Sequence, residues 1–245
     1  MTLKNKIAVV TGANSGLGAA LSEALIKKDT LVYGIARNQK KLNAIQTLLG
    51  NKFIPISLDI SKHEELESWV NATFNKDYLP DILINNAGAG IFTSVDDMSI
   101  HTWQQMIDTN LNGMFYITSL LVPFFKSNLQ SSHIINIGSI LGQVGKANAS
   151  AYCTSKFGVQ GFSKALYLEL RVNNIKVTCV NPGSIDTSFF KSSGIHPHSN
   201  MLQPDSLADT IIHILETPDN MLIDEITIRP LDSRKPEYLH EKNNY

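Results

Sequence analysis

The sequence predicts an α/β fold built on a parallel, doubly wound sheet, and two observations carry that prediction. Short β-branched runs alternate with longer helical patterns along the 245 residues. The runs are also apolar nearly throughout, as strands are when helices cover both faces of their sheet. In chain order the expected strands are Ile7–Thr11, Leu31–Ala36, Phe53–Leu58, Ile82–Asn85, Ile134–Gly138, Lys176–Val180 and Ile226–Ile228. The expected helices cover 17–28, 39–49, 62–75, 99–127, 152–172 and 205–216, one in each gap between strands. In such a sheet a ligand sits beyond the carboxyl ends of the strands, so motifs at those ends carry most weight.

Bulk properties narrow the function classes. The length suits one large α/β domain and needs no disulfide or metal staple. A formal net charge of −1 gives no electrostatic footprint for nucleic acid or an anionic membrane. Two cysteines, Cys153 and Cys179, are too few for a secreted disulfide framework. The apolar run Ile7–Val10 is too short for a signal-peptide core or a membrane span. A soluble, cytoplasmic protein is the expectation.

The first strand runs into Thr11-Gly12-Ala13-Asn14-Ser15-Gly16-Leu17-Gly18, followed by a helix. Glycines permit a tight turn and a close backbone approach to a pyrophosphate. The helix behind them offers free N–H groups and the positive end of its dipole. The spacing is Gly-x-x-x-Gly-x-Gly, and its place between a first strand and a first helix makes it a dinucleotide signal. At the end of the second strand, an NAD site usually has an acid for the ribose 2′-hydroxyl. This chain has Ala36-Arg37-Asn38 instead. A missing acid and an available guanidinium favour a 2′-phosphate, so NADP is the expected cofactor and NAD the lesser alternative. Asp59, after the third strand and followed by Ile60, could accept from an adenine amino group.

Tyr152-Cys153-Thr154-Ser155-Lys156 places a tyrosine and a lysine on one face of a helix. A free tyrosine has a pKa of roughly 10, too high for acid/base work at neutral pH. A neighbouring ammonium would lower it. Cys153 should point elsewhere on the helix and reads as a structural thiol. Ser139 follows the fifth strand, where its hydroxyl could hold a substrate oxygen. Asn110 falls inside the expected helix 99–127, where asparagine has no propensity reason to be.

Taken together, Thr11-Gly12-x-x-x-Gly16-x-Gly18, Asn85-Asn86-Ala87-Gly88, Asn110, Ser139, Tyr152-x-x-x-Lys156 and Pro182-Gly183 resemble the short-chain dehydrogenase/reductase family. The resemblance spans about residues 5 to 230 and implies a Rossmann-type seven-stranded sheet in the order 3-2-1-4-5-6-7. It also implies Tyr152 as acid/base, with Lys156 holding the nicotinamide ribose and lowering the tyrosine pKa. Ser139 would orient the carbonyl, and Asn110 would carry a water in a proton relay. Asn85, Asn86, Ala87 and Gly88 would line the adenosine-ribose side, and Pro182, Gly183, Ile185 and Thr187 the nicotinamide.

The activity so implied is a carbonyl reductase or alcohol dehydrogenase acting on a small, partly apolar substrate. The last strand, Leu222-Ile223-Asp224-Glu225-Ile226-Thr227-Ile228-Arg229-Pro230, lacks the Val-Asp-Gly-Gly-like close of acyl-carrier-protein reductases. A 3-oxoacyl thioester reductase therefore stays an alternative, as does a regulator that senses NADP(H) without turnover. A nucleotide-sugar epimerase would need an extra carboxy-terminal domain. Residues 1–231 read as one dinucleotide-binding and catalytic domain with a substrate lid at about 186–204, and 232–245 as a polar tail. Phe92, Leu141 and Phe189 are the expected substrate contacts, with Ile140, Val144 and Phe190 as further apolar candidates. His196 and His198 lack the companions of a metal site, so no metal is expected. A homodimer or homotetramer is expected through the helices near 99–127 and 152–172, which carry Met114, Phe115, Phe157, Val159 and Phe162.

Overall fold

A computed structural model describes residues 1–189 and 200–232. The strands are β1 (Ile7–Thr11), β2 (Leu31–Ala36), β3 (Phe53–Ser57), β4 (Ile82–Asn85), β5 (Ser132–Ile137), β6 (Ile175–Pro182) and β7 (Glu225–Ile228). All seven pair in parallel, in the order β3-β2-β1-β4-β5-β6-β7. The helices are α1 (Gly16–Lys27), α2 (Gln39–Leu49), α3 (His63–Thr73), α4 (Ile100–Ile107), α5 (Gly113–Ser127), α6 (Ser150–Leu170) and α7 (Pro204–Leu215).

The apolar strands follow from the layering. Ala8, Val10, Ile82 and Ile84 pack with Leu17, Leu21 and Leu25 of α1 and with Ile211 and Leu215 of α7. Their neighbours Val9, Leu83 and Ile134 turn the other way, onto Leu66 and Val70 of α3, Leu121 of α5 and Leu166 of α6. Alternate residues thus enter opposite layers, and both layers are apolar. Each fully buried Leu or Ile contributes about 2 kcal/mol, so the pattern that identified the strands is also what holds them. Strand order reverses between β1 and β4, which opens a crevice at the carboxyl ends.

Three expectations are corrected. The helix expected over 99–127 is interrupted by a π-helical turn, Asp108–Asn112, between α4 and α5. There the chain runs against Ile60: a Cβ on Gly113 would lie 2.8 Å from Ile60 Cγ1. β5 begins at Ser132 and includes His133, both buried, although their polarity argued for a start at Ile134. Met114 and Val159 are 4% and 1% exposed and pack with Cys179, so they belong to the core and not to a subunit face. Phe115 and Phe157, at 50% and 47%, do face outward.

Among the described residues no helix is long and apolar enough to cross a membrane. Phe190, His196, His198 and nearly all of the tail lie outside the described residues.

Candidate active site

The glycine-rich turn adopts the conformation its residues were suited to. Gly12 and Gly16 sit at φ 67° and 52°, in the left-handed region that a side chain disfavours. A Cβ on Gly12 would also lie 2.9 Å from Ala87 Cα, because β1 and β4 are laced together at this point. Thr11 Oγ1 accepts from the N–H groups of Asn86 and Ala87, both at 3.0 Å, and Asn86 Nδ2 donates to the Thr11 carbonyl at 2.9 Å. Ser15 begins α1 without a side-chain cap, and no acid occupies the first turn. The free N–H groups of α1 are therefore open to an anion. Gly18 lies behind the turn, where a Cβ would meet the Gly12 carbonyl at 2.2 Å.

This turn forms one wall of a cleft of about 850 Å³. Asn14, Ser15, Gly16 and Leu17 line it, as do Arg37, Asp59, Ile60, Asn86, Ala87, Gly88, Pro182, Gly183, Ile185 and Thr187. Arg37 is 74% exposed, with Nη1 4.0 Å from Asp59 Oδ2. Asp59 is held by its own loop, accepting from the Ser61 N–H at 3.0 Å and the Ser61 hydroxyl at 2.9 Å. Asn85 faces away from the cleft: it is buried and donates to Thr118 at 3.0 Å and to Asn136 at 2.8 Å. Its expected place beside the cofactor is corrected; the strand alternation that exposes Asn86 buries Asn85.

At the other end of the cleft, Ser139, Tyr152 and Lys156 come together. Ser139 follows β5 and starts a short 3₁₀ turn, its Oγ accepting from the Leu141 N–H at 3.1 Å. Its own N–H donates to Asn181 Oδ1 at 3.2 Å, which ties the turn to β6. A Cβ on Gly142 would lie 2.6 Å from the Lys156 carbonyl, so glycine lets this turn close onto α6. Tyr152 and Lys156 are one helical turn apart on α6 and only 9% and 5% exposed. Burial pushes the Tyr152 phenol up to about 12, with the Ser139 hydroxyl partly offsetting it. Burial likewise pushes Lys156 down to about 8. Lys156 Nζ stands 5.8 Å from the Tyr152 ring centre and donates to the Ile137 carbonyl at 2.8 Å. The depressed tyrosine pKa expected from this pair is thus not a property of the chain by itself, because burial raises the phenol and only the Ser139 hydroxyl pulls it the other way.

Asn110 lies behind the cleft, in the π turn. Its Oδ1 accepts from the Ala89 N–H at 2.7 Å, while Nδ2 donates to the Ala89 carbonyl at 2.8 Å and to Ser155 at 3.0 Å. The amide therefore fastens the segment after β4 to α6.

Phe92 and Phe189 flank Tyr152, with ring centroids 5.3 and 5.9 Å from its own. Leu141 packs into the same cluster. Ile140 also lines the cleft, and Val144, 49% exposed, does not. Cys153 is buried with its thiol towards the Val144 carbonyl. One residue that sequence reasoning passed over is Lys146, which lines the cleft with Nζ 5.6 Å from the Phe92 ring centre. Its position between Ser139 and Tyr152 was the available signal, since a loop joining two site residues borders the site. Among the described residues no group of three or more His, Cys, Asp or Glu side chains could hold a metal.

The residues fit a dinucleotide: a glycine cradle without Cβ atoms, an uncapped helix N-terminus and a cleft spanning both ends of the sheet switch point. Comparison with known proteins agrees. A family model described as short chain dehydrogenase matches residues 6–197. An uncharacterized oxidoreductase of Staphylococcus saprophyticus is 31% identical over 233 residues, covering 94% of this chain and 99% of that protein. A 3-ketoacyl-(acyl-carrier-protein) reductase from Brucella melitensis, complexed with NADH, superposes with a TM-score of 0.86 at 26% identity, covering 95% of this chain and all of the other. The closed form of a serine dehydrogenase complexed with NADP+ gives 0.82 at 26% identity, covering 90% and 93%.

Proposed function

The chain belongs to the short-chain dehydrogenase family, an NAD(P)-dependent enzyme acting on alcohol or carbonyl groups, and we propose that it moves a hydride between NADP(H) and a small, partly apolar ketone, aldehyde or secondary alcohol. The observation that carries this reading is the convergence of Ser139, Tyr152 and Lys156 at one end of a cleft whose other end holds the glycine turn and Arg37.

Gly12, Ser15, Gly16 and Leu17 would hold the pyrophosphate, with Arg37 taking the 2′-phosphate. Asp59 and Ile60 would border the adenine, and Asn86, Ala87 and Gly88 the adenosine ribose. Lys156 would hold the nicotinamide ribose, beside Pro182, Gly183, Ile185 and Thr187. A bound nicotinamide supplies the hydride in reduction. Tyr152 keeps its proton at neutral pH and donates it from the phenol to the substrate oxygen as negative charge develops there. Ser139 has its Oγ lone pair engaged by the Leu141 N–H, which leaves its O–H to donate to that oxygen. Phe92, Leu141 and Phe189 exclude water and hold the apolar part of the substrate. The continuous sheet supports reading residues 1–231 as one domain; residues 190–199 of the expected lid at 186–204 lie outside the described residues.

The test is a panel of ketones and aldehydes incubated with NADPH and, separately, NADH, followed by cofactor absorbance. Oxidation of NADPH dependent on a carbonyl compound is the expected result. Tight NADPH binding without turnover on any member would favour a regulator.

A further inference from the structure

The chemistry of the cleft beyond Tyr152 points to a substrate class, an inference that rests on the reductase reading above. We propose that the physiological substrate is an oxo acid or hydroxy acid whose carboxylate is held by Lys146, which lines the same cleft as Tyr152 and borders Phe92.

Lys146 Nζ lies 5.6 Å from the centre of the Phe92 ring, and that ring lies 5.3 Å from the Tyr152 ring. A cation and the proton donor therefore both border the same aromatic ring. Among the described residues no carboxylate pairs with Lys146, whereas Lys6, Lys28, Lys52 and Lys164 each have one. Among the described residues Asp59 is the only carboxylate lining the cleft, and it lies beside Arg37 at the opposite end. The other nearby cation, Lys156, is buried and already bonded to Ile137. Among the described lining residues, none at this end would repel an anion beside Lys146.

The surroundings make that charge effective. Lys146 is exposed, and the contact of its ammonium with the Phe92 ring restrains the flexible side chain at the wall of the cleft. Phe92, Leu141 and Phe189 pack around Tyr152 and line the same cleft as the lysine, so the space between carries apolar walls. A carboxylate at one end, a carbonyl at the other and a short hydrocarbon link between them match this order of groups. The lysine takes no part in proton or hydride transfer; it selects and orients.

The test compares each acid with its own ester: 3-oxobutanoate and 4-oxopentanoate against their methyl esters. The enzymes are the wild type, Lys146→Gln and Lys146→Arg, with NADPH as reductant. Calorimetric titration of each probe into protein saturated with NADP+ gives a readout independent of turnover. The wild type is expected to prefer at least one acid over its ester by about tenfold in kcat/KM, as for a hydrogen bond to a charged group. Lys146→Gln should lose that preference while treating the esters as the wild type does, and Lys146→Arg should keep most of it. Turnover of the esters with no preference for the acids, or an equal fall for both in Lys146→Gln, overturns the carboxylate site and leaves the reductase reading standing. Lys146-dependent binding of an acid without cofactor oxidation supports the site and strikes the reductase reading. Neither binding nor turnover of the acids overturns the proposal.

Discussion

Lys156 stands beneath the ring of Tyr152, 5.8 Å from its centre, yet donates to the carbonyl of Ile137 at 2.8 Å. Burial governs both groups, holding the phenol near 12 and the ammonium near 8. As pH rises, the lysine therefore loses its proton well before the tyrosine does. An uncharged lysine is a weaker donor to ribose hydroxyls, so NADPH affinity should fall as pH rises above about 8. Dissociation constants measured from pH 6.5 to 10 by cofactor fluorescence should show this in the wild type. In Lys156→Ala the affinity should be weaker and lack that inflection; an inflection unchanged in the variant would assign it elsewhere.

Tyr152→Phe should abolish turnover while leaving NADPH binding within about twofold, because the ring fills the same space without a proton to give. General acid catalysis contributes roughly 10²-fold or more. A variant retaining more than about a tenth of the wild-type kcat would exclude Tyr152 as the acid. Ser139→Ala should lower kcat more than it raises KM, since its hydrogen bond strengthens as charge develops on the oxygen.

The glycine turn, Ser139 and the Tyr152/Lys156 pair were legible because each depends on local backbone geometry and short spacing. So was the sheet, whose strands are apolar on both faces. The π turn was not legible, because no local spacing marks it; beside it Gly113 packs on Ile60, some 50 residues away in sequence. Lys146 was missed for a related reason. A lysine in a loop reads as solvated until the fold sets Phe92 beneath it. Asn110 was found by its odd place in a helix, but its side-chain partners, Ala89 and Ser155, come from two other segments.

Arg37 should decide cofactor choice. Its guanidinium is largely exposed and only 4.0 Å from Asp59, an arrangement loose enough to release it to a 2′-phosphate. Arg37→Ala should lower kcat/KM for NADPH by about tenfold, in the range for charge-assisted hydrogen bonds, and change NADH little. Equal efficiency with both cofactors in the wild type would remove the basis for NADP preference.

Phe115 of α5 and Phe157 and Leu168 of α6 are 50%, 47% and 56% exposed. Such side chains on neighbouring helices suit an isologous interface, in which one patch meets its own copy. Light scattering should give a dimer or tetramer at micromolar concentration, and Phe115→Glu with Phe157→Glu should shift it towards monomer. A wild-type monomer at that concentration would rule the interface out.

Stability should fall on the acid side through His133, far from the cleft. The ring is 1% exposed, and its Nε2 lies 2.8 Å from Thr178 Oγ1. That hydroxyl already donates to the Ile223 carbonyl at 2.6 Å, so Nε2 must carry the hydrogen and Nδ1 is the bare nitrogen. Nδ1 is buried without a hydrogen-bond partner. Protonating it would bury an unpartnered N–H and a positive charge, with Lys176 and the amino-terminal charge adding repulsion. Burial first, and those charges next, push the folded-state pKa down from 6.5 to about 3. The unfolded chain takes up the proton as pH drops through 6.5, and the folded chain does not until about 3. Stability from this group is therefore complete above the first value and lost progressively towards the second, at roughly 1.4 kcal/mol per pH unit. His133→Gln places an amide donor near the position of Nε2 but cannot titrate. Thermal unfolding of both proteins from pH 7.5 to 4 should show the wild type losing its lead over the variant as pH falls. Parallel curves would mean that His133 does not set the acid limb.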